Sequence, residues 1–181
     1  MGTDFNPAKI KLVIGLGNPD KSYENTYHNA GFLFIEYLKE KKPAISNFQF
    51  LISKSNAFMN ASGGFVKKAL KKNGLKPEAL LLAHDDSDLN LGNFKFSFGH
   101  GSAGHKGVES VVKAIGSKNF WRLRIGIRPI SPIGPIKRTK ADLPAEARRA
   151  KAGAFVLKRI SAKDKGVLEK VFETISARNL R

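Results

Sequence analysis

Four polar residues stand where this chain passes between apolar stretches, and their types suit hydrolytic acid–base chemistry. His28 lies in Tyr27-His28-Asn29-Ala30-Gly31, just ahead of a helical pattern. Asn18 ends Gly15-Leu16-Gly17-Asn18 and precedes Pro19. Asn60 sits in Phe58-Met59-Asn60-Ala61-Ser62-Gly63, and Asp85 in His84-Asp85-Asp86-Ser87-Asp88-Leu89. Histidine is the side chain best suited to moving protons near neutral pH. A carboxylate can orient such a base, and an amide, donor and acceptor at once, can position water or steady a developing oxyanion. Each residue also has a plainer use. A histidine before a helix can cap or pack, asparagines populate turns and N-caps, and acids after a buried strand cap turns, which is the reading that suits Asp88. The four motifs in this order favour chemistry.

The elements that must position these groups follow from apolar periodicity. Lys9 to Gly17 reads as a buried strand, with Ile10, Leu12, Val13, Ile14 and Leu16 too densely apolar for a loop. A helix is expected from about Asn29 to Lys41, with Phe32, Ile35 and Leu38 on one face and Pro43 stopping it. Phe48, Phe50 and Ile52 alternate as a short strand over 47–53. Asn60 to Asn73 reads as a helix that turns Phe65, Ala69 and Leu70 inward and Lys67, Lys68, Lys71 and Lys72 outward, closed by Gly74. Leu80 to His84 is a buried strand expected to deliver Asp85 at its carboxyl end, and Phe94, Phe96 and Phe98 mark another. The glycine-rich run from Gly99 to Gly107, holding His100 and His105, leads into a helix ending near Gly116; a strand follows from Phe120 to Ile127. The last helix spans Ser161 to about Asn179, with Ser161 and Asp164 at capping-box spacing. Alternating strands and helices predict an α/β fold: one domain over residues 1–181, with a mixed, mostly parallel sheet flanked by helices.

Composition narrows the partners. With 32 Lys and Arg against 15 acidic residues, the net charge is +17 over 181 residues. That excess favours a polyanion, nucleic acid ahead of a membrane surface. The stretch from Arg128 to Arg159 holds nine Lys or Arg against two acids, together with Pro129, Pro132, Pro135 and Pro144. A basic, proline-rich surface insertion is expected at about 129–144, extended and mobile rather than part of the core. The chain has no cysteine, so disulfides, thiolate metal sites and a cysteine nucleophile are excluded. Its four histidines, at 28, 84, 100 and 105, lack the spacing of a zinc helix motif, so no metal is expected. The Gly15-Leu16-Gly17 turn lacks the third glycine of a dinucleotide fingerprint, and Ser62 and Ser102 lack a nucleophile elbow, so no cofactor and no serine nucleophile are expected. No signal-like leader or membrane-length apolar run is present, which predicts a cytoplasmic protein.

The runs LVIGLGNP, SYENTYHNAGF, FMNASGG, HDDSDLNLGNFKFSFGHGSAGHKG and FWRLRIGIRP together resemble the bacterial peptidyl-tRNA hydrolase family, from about Lys11 to Ile127. The resemblance implies a cofactor-independent, monomeric esterase that releases peptide from the 3′ ribose of tRNA and recycles tRNA from stalled translation. It implies His28 as general base, Asp85 as the carboxylate that holds its tautomer, and Asn18 as discriminating N-blocked from free aminoacyl-tRNA. Asn60 would stabilise the tetrahedral intermediate and, with Tyr23 and Phe58, bind the substrate's 3′ end and peptide. Lys95 and Arg124 match positions that meet tRNA phosphate, and Lys106 and Arg122 join them as basic candidates. The chain departs from the family pattern at several places. Lys106 stands where asparagine is usual, Tyr27 where arginine is common, the His28–Asn60 segment is shorter, the insertion after Arg128 is longer, and the chain ends earlier. The rival reading is a non-catalytic RNA-binding protein on the same fold, resembling chloroplast splicing factors related to this family; a third is a hydrolase for other N-acylated esters.

Overall fold

Short apolar runs of Leu, Val and Ile bury both faces of a central sheet, and the sheet sets the frame for the site. In the computed structural model, residues 4–41, 50–129, 153 and 155–180 are described. The strands are β1 (Leu12–Gly15), β2 (Leu51–Lys54), β3 (Leu80–Asn90), β4 (Phe94–Phe98) and β5 (Trp121–Arg128). Their order is β2-β1-β3-β5-β4; only the β4–β5 pair is antiparallel. Parallel neighbours need crossovers, which here carry helices α1 (Ala30–Lys41), α2 (Ser62–Lys72) and α3 (Lys106–Ile115); α4 (Ala162–Asn179) follows β5. This is the expected mixed, mostly parallel α/β architecture.

Strand alternation sorts the core into two clusters. Val13, Leu81, Ala83, Leu123 and Ile125 join Phe34, Ile35 and Leu38 of α1 and Leu168, Phe172 and Ile175 of α4. Leu12, Ile14, Leu80 and Leu82 join Val66 and Leu70 of α2 and Val108 and Val111 of α3. Each of the Val, Leu, Ile and Phe side chains among them contributes about 1.5–3 kcal/mol when fully buried. In α2 the buried residues are Val66 and Leu70, while Phe65 and Ala69 pack at the margin, so the expected stripe is rotated slightly.

The glycines after β1 serve packing. A Cβ on Gly15 would come within 2.2 Å of the Gly31 carbonyl oxygen, so only glycine lets α1 press onto the strand at this crossing. That close approach, rather than a dinucleotide, accounts for the glycine turn.

The ends of β1 and β3 differ from expectation. β1 is shorter than the apolar run because Pro7–Lys9 forms a 3-10 turn, and Lys11 bonds to the Ala79 carbonyl before the regular ladder begins. β3 does not stop at His84 but runs to Asn90, so Asp85 lies inside the strand, paired in register with Ile125. Acids are tolerated there because their carboxylates are hydrogen-bonded, Asp85 by His28 and His105 and Asp86 by Asp88 N–H and Arg124.

The segment leading into α4 closes onto the turn before α1. Tyr27 N–H donates to the Lys158 carbonyl, Ile160 N–H to the Asn25 carbonyl, and Thr26 bridges Arg159. Tyr27 packs against the tilted ring of Phe155 and its hydroxyl donates to Asp164. Burial and that carboxylate push the Tyr27 phenol up to about 12. The expected Ser161 cap is present, its Oγ accepting Asp164 N–H at 3.1 Å. The expected basic insertion falls almost wholly on residues 130–150, outside the described residues, as do residues 42–49 of the shortened segment. No helix among the described residues is long and apolar enough to cross a membrane.

Candidate active site

Five segments meet at one end of the sheet, and each is fixed locally before it contributes a side chain. His28 sits in a 3-10 turn, Tyr27–Asn29, that runs directly into α1. Its Nδ1 lies 2.9 Å from Asp85 Oδ1. A carboxylate oxygen only accepts, so Nδ1 carries the proton and donates, which leaves the Nε2 lone pair without a protein partner among the described residues. That is the tautomer a general base requires. The His28 side chain keeps 15% of its surface, against 3% for Asp85, so the base is reachable and its carboxylate is not.

Burial opposes the imidazolium form of His28, but the Asp85 charge and hydrogen bond outweigh it and hold the pKa above the ordinary 6.5. Burial likewise opposes the Asp85 carboxylate. The charges and donors of His28 and His105 overcome it and hold Asp85 well below the usual carboxylate range.

His105 is the site residue that sequence reasoning missed. Its Nε2 lies 2.9 Å from the same Asp85 Oδ1. Its Nδ1 is the N-cap acceptor of α3, taking the N–H groups of Gly107 at 3.1 Å and Val108 at 3.3 Å. Backbone amides can only donate, so Nδ1 must be the lone-pair nitrogen and Nε2 the donor. The only signal was a histidine between a glycine-rich loop and a helical pattern. Histidine is not a usual N-cap, and its acceptor lies 20 residues away.

The histidines that looked scattered are therefore gathered. His28, Asp85 and His105 place one ligand atom each within 4.8 Å of one another. Proximity alone does not fit them to a metal ion. Nε2 of His105 would have to surrender its proton while Nδ1 still faces two amide donors, so metal binding there competes with the helix cap. His84, expected to be structural, is buried in β3; Nδ1–H donates to the Asp85 carbonyl, and burial holds its pKa well below 6.5. His100 lies exposed in the glycine loop.

The asparagines are arranged by another residue outside the expected set. Asn29 clasps the Asn18 backbone from both sides, its Oδ1 accepting Asn18 N–H at 2.8 Å and its Nδ2 donating to the Asn18 carbonyl at 3.0 Å. Asn18 Oδ1 accepts Met59 N–H at 2.8 Å, while its Nδ2–H groups have no partner among the described residues and are available to a substrate. The same bond ties it to the Met59–Ala61 turn that carries Asn60. Asn60 is exposed and makes no hydrogen bond among the described residues. It does not cap α2; that position is Ala61, without a side-chain cap.

Tyr23 and Phe58 approach edge-to-face with ring centroids 6.4 Å apart, and Phe58 is 50% exposed, so neither is a core aromatic. Lys95 and Arg124 face each other directly across β4 and β5, with Lys95 exposed. Arg122 is not part of that surface. It is 3% exposed, and its Nη1 donates to the Gly101 carbonyl at 2.9 Å, anchoring the glycine loop that ends at His105. Two residues along a strand share a face, but here the glycine loop covers Arg122 and leaves Arg124 partly exposed. Lys106 opens α3 with its side chain 76% exposed, 3.8 Å from Glu109.

Comparison with known proteins bears on this arrangement. The family model described as peptidyl-tRNA hydrolase matches residues 12–179. A peptidyl-tRNA hydrolase of Aquifex aeolicus is 41% identical over 133 residues, 65% of this chain and 69% of that protein. One from Thermodesulfovibrio yellowstonii is 39% identical over 132 residues, 64% of this chain and 71% of that protein. The crystal structure of peptidyl-tRNA hydrolase from Acinetobacter baumannii superposes with a TM-score of 0.75 at 28% identity, covering 97% of this chain and 88% of that one.

Proposed function

Because this chain belongs to the peptidyl-tRNA hydrolase family, we propose that His28 and Asp85 carry out its ester hydrolysis with water as the nucleophile. The reaction is hydrolysis of peptidyl-tRNA, a carboxylic ester linking peptide to tRNA. The observation that carries the mechanism is the one-sided hydrogen bonding of His28: Nδ1–H is engaged by a buried carboxylate, Nε2 has no partner among the described residues, and the side chain is partly exposed.

His28 Nε2 takes a proton from water, and the hydroxide attacks the ester carbonyl. Asp85 stabilises the imidazolium that forms. The Asn18 and Asn60 amides supply N–H donors to the carbonyl oxygen and the peptide, Asn18 in an orientation fixed by Met59 N–H. The imidazolium then protonates the departing ribose oxygen. Tyr23 and Phe58 form an aromatic edge for the 3′-terminal nucleotide, since stacking accepts any base. Lys95 and Arg124 meet a phosphate of the acceptor end, and Lys106 lies free enough at the α3 start to reach another. The protein acts as a cytoplasmic monomer, recycling tRNA from stalled translation, and residues 1–181 form one domain with a basic insertion at about 129–144.

The test is hydrolysis of N-acetyl-aminoacyl-tRNA by the purified chain without added metal, beside an N-acetylated small ester. Turnover of the tRNA ester alone is expected. Tight tRNA binding without turnover would instead favour the RNA-binding reading, toward which Lys106 in place of asparagine and the long basic insertion both lean.

A further inference from the structure

Asp86 adjoins the catalytic carboxylate, yet the reaction above makes no use of it. It is 8% exposed, and both its oxygens are engaged. Oδ1 accepts Asp88 N–H at 2.7 Å, and Oδ2 accepts Arg124 Nε–H at 2.6 Å. Arg124 retains 20% of its side-chain surface. A guanidinium presents five N–H donors in a rigid fork, so the bond to Nε leaves the Nη edge intact. Among the described residues that edge has no other ion pair or hydrogen bond. Lys95 stands directly opposite on β4, its side chain on the same face.

An acid on a surface that receives a polyanion repels it through space. Asp86 sits nonetheless beside one of the two cations expected to meet phosphate. We propose that Asp86 is a positioning residue: it grips Arg124 by the Nε edge, so that the Nη edge, together with Lys95, is held ready for one phosphate of the tRNA acceptor end. The inference rests on the phosphate reading of Lys95 and Arg124. Arginine is long and rotamer-rich, and a bidentate phosphate contact requires its plane to be fixed. The carboxylate supplies that fixation from inside the strand, where Asp88 N–H in turn fixes the carboxylate.

The two effects of Asp86 have opposite signs, which makes the proposal testable. If Asp86 acts only as a charge, removing it strengthens tRNA binding. If it positions Arg124, removing it weakens binding despite the more positive surface. The experiment measures the dissociation constant of uncharged tRNA against salt for wild type, Asp86→Asn, Asp86→Ser, Arg124→Ala and the double variant Asp86→Asn/Arg124→Ala. Asp86→Ser guards against misfolding of the asparagine variant. Losing one phosphate contact should flatten the log–log salt slope by about 0.7–0.9 and cost about sixfold in affinity at ~0.1 M salt. That result is expected for both Asp86 variants and for Arg124→Ala, while Asp86→Asn should weaken binding no further once Arg124 is gone. Tighter binding by the Asp86 variants with an unchanged slope overturns the positioning role. A wild-type slope in Arg124→Ala overturns the phosphate reading itself, whatever the Asp86 variants do.

Discussion

Replacing Asp85 by asparagine probes the site most sharply, because the outcome depends on which way the new amide turns. Asp85 Oδ1 receives ring N–H groups from both His28 and His105, each at 2.9 Å. In Asp85→Asn the amide oxygen can keep that place and both bonds, preserving the His28 tautomer. Turning the NH₂ toward the rings would face His105 Nε2–H, which cannot become an acceptor while Gly107 and Val108 hold Nδ1 as one. His105 thus selects the amide orientation that keeps His28 usable. The loss then reduces to exchanging a charge-assisted hydrogen bond for a neutral one, on the order of 1–2 kcal/mol, or about 5- to 30-fold in kcat. In Asp–His pairs where asparagine imposes the wrong tautomer, the loss is about 10⁴-fold.

Removing the selector should expose that larger cost. His105→Asn keeps an N-cap acceptor but is too short to span the gap to Asp85. The double variant Asp85→Asn/His105→Asn frees the amide to turn, so its loss should exceed the product of the two single losses by at least tenfold. Single-turnover kinetics on N-acetyl-aminoacyl-tRNA for all four proteins give the comparison. Simple multiplicativity, or a 10⁴-fold loss in Asp85→Asn alone, would refute the tautomer argument.

Other expectations follow from the same geometry. His28→Ala should lose about 10²–10⁴ in turnover, more than Asp85→Asn, with its thermal transition and tRNA affinity close to wild type; near-normal kcat would end the general-base scheme. Because the working form of His28 is unprotonated and its pKa is raised, the acid limb of the kcat/KM profile should lie above pH 6.5 and move to lower pH in Asp85→Asn; a limb that stays in place would detach Asp85 from the titrating group. Activity should persist in excess chelator, since a metal on Nε2 of His105 competes with the α3 cap; a chelator-sensitive rate restored by one cation would count against this. Deleting Ser131 to Lys140 with a short glycine bridge should weaken full-length tRNA binding while leaving hydrolysis of a minimal 3′-end substrate unchanged, and equal loss on both would place the segment in the domain's own support.

How much of this could be read in advance depended on the range of the interaction. The sheet and its helices were legible because burial of Leu80 to Leu82, or of Phe34, Ile35 and Leu38, leaves a periodic trace in the sequence itself. His28 and Asp85 were legible through the motifs around them. Asn29 was passed over although it adjoins His28, because its task, clasping the backbone 11 residues earlier, leaves no local pattern. Arg122 looked like a surface cation because strand alternation equates it with Arg124; only the path of the glycine loop separates the two. Tyr27, noted as a departure from arginine, proved to contact a helix 137 residues away in sequence.

The hydrogen bonds around Asp85 can be followed in one direction only, and that direction is set by the backbone. Peptide N–H groups at the start of α3 donate to His105 Nδ1, so His105 Nε2 must donate onward to Asp85 Oδ1. The same oxygen takes Nδ1–H of His28, and Nε2 of His28 is left with its lone pair. Two donors on one oxygen also offset the burial that would otherwise protonate Asp85. A side-chain donor to His105 Nδ1 could rotate or titrate; a peptide N–H can do neither. Once α3 begins at Lys106 and β3 carries Asp85 through the middle of its length, the protonation pattern around the base follows from the fold.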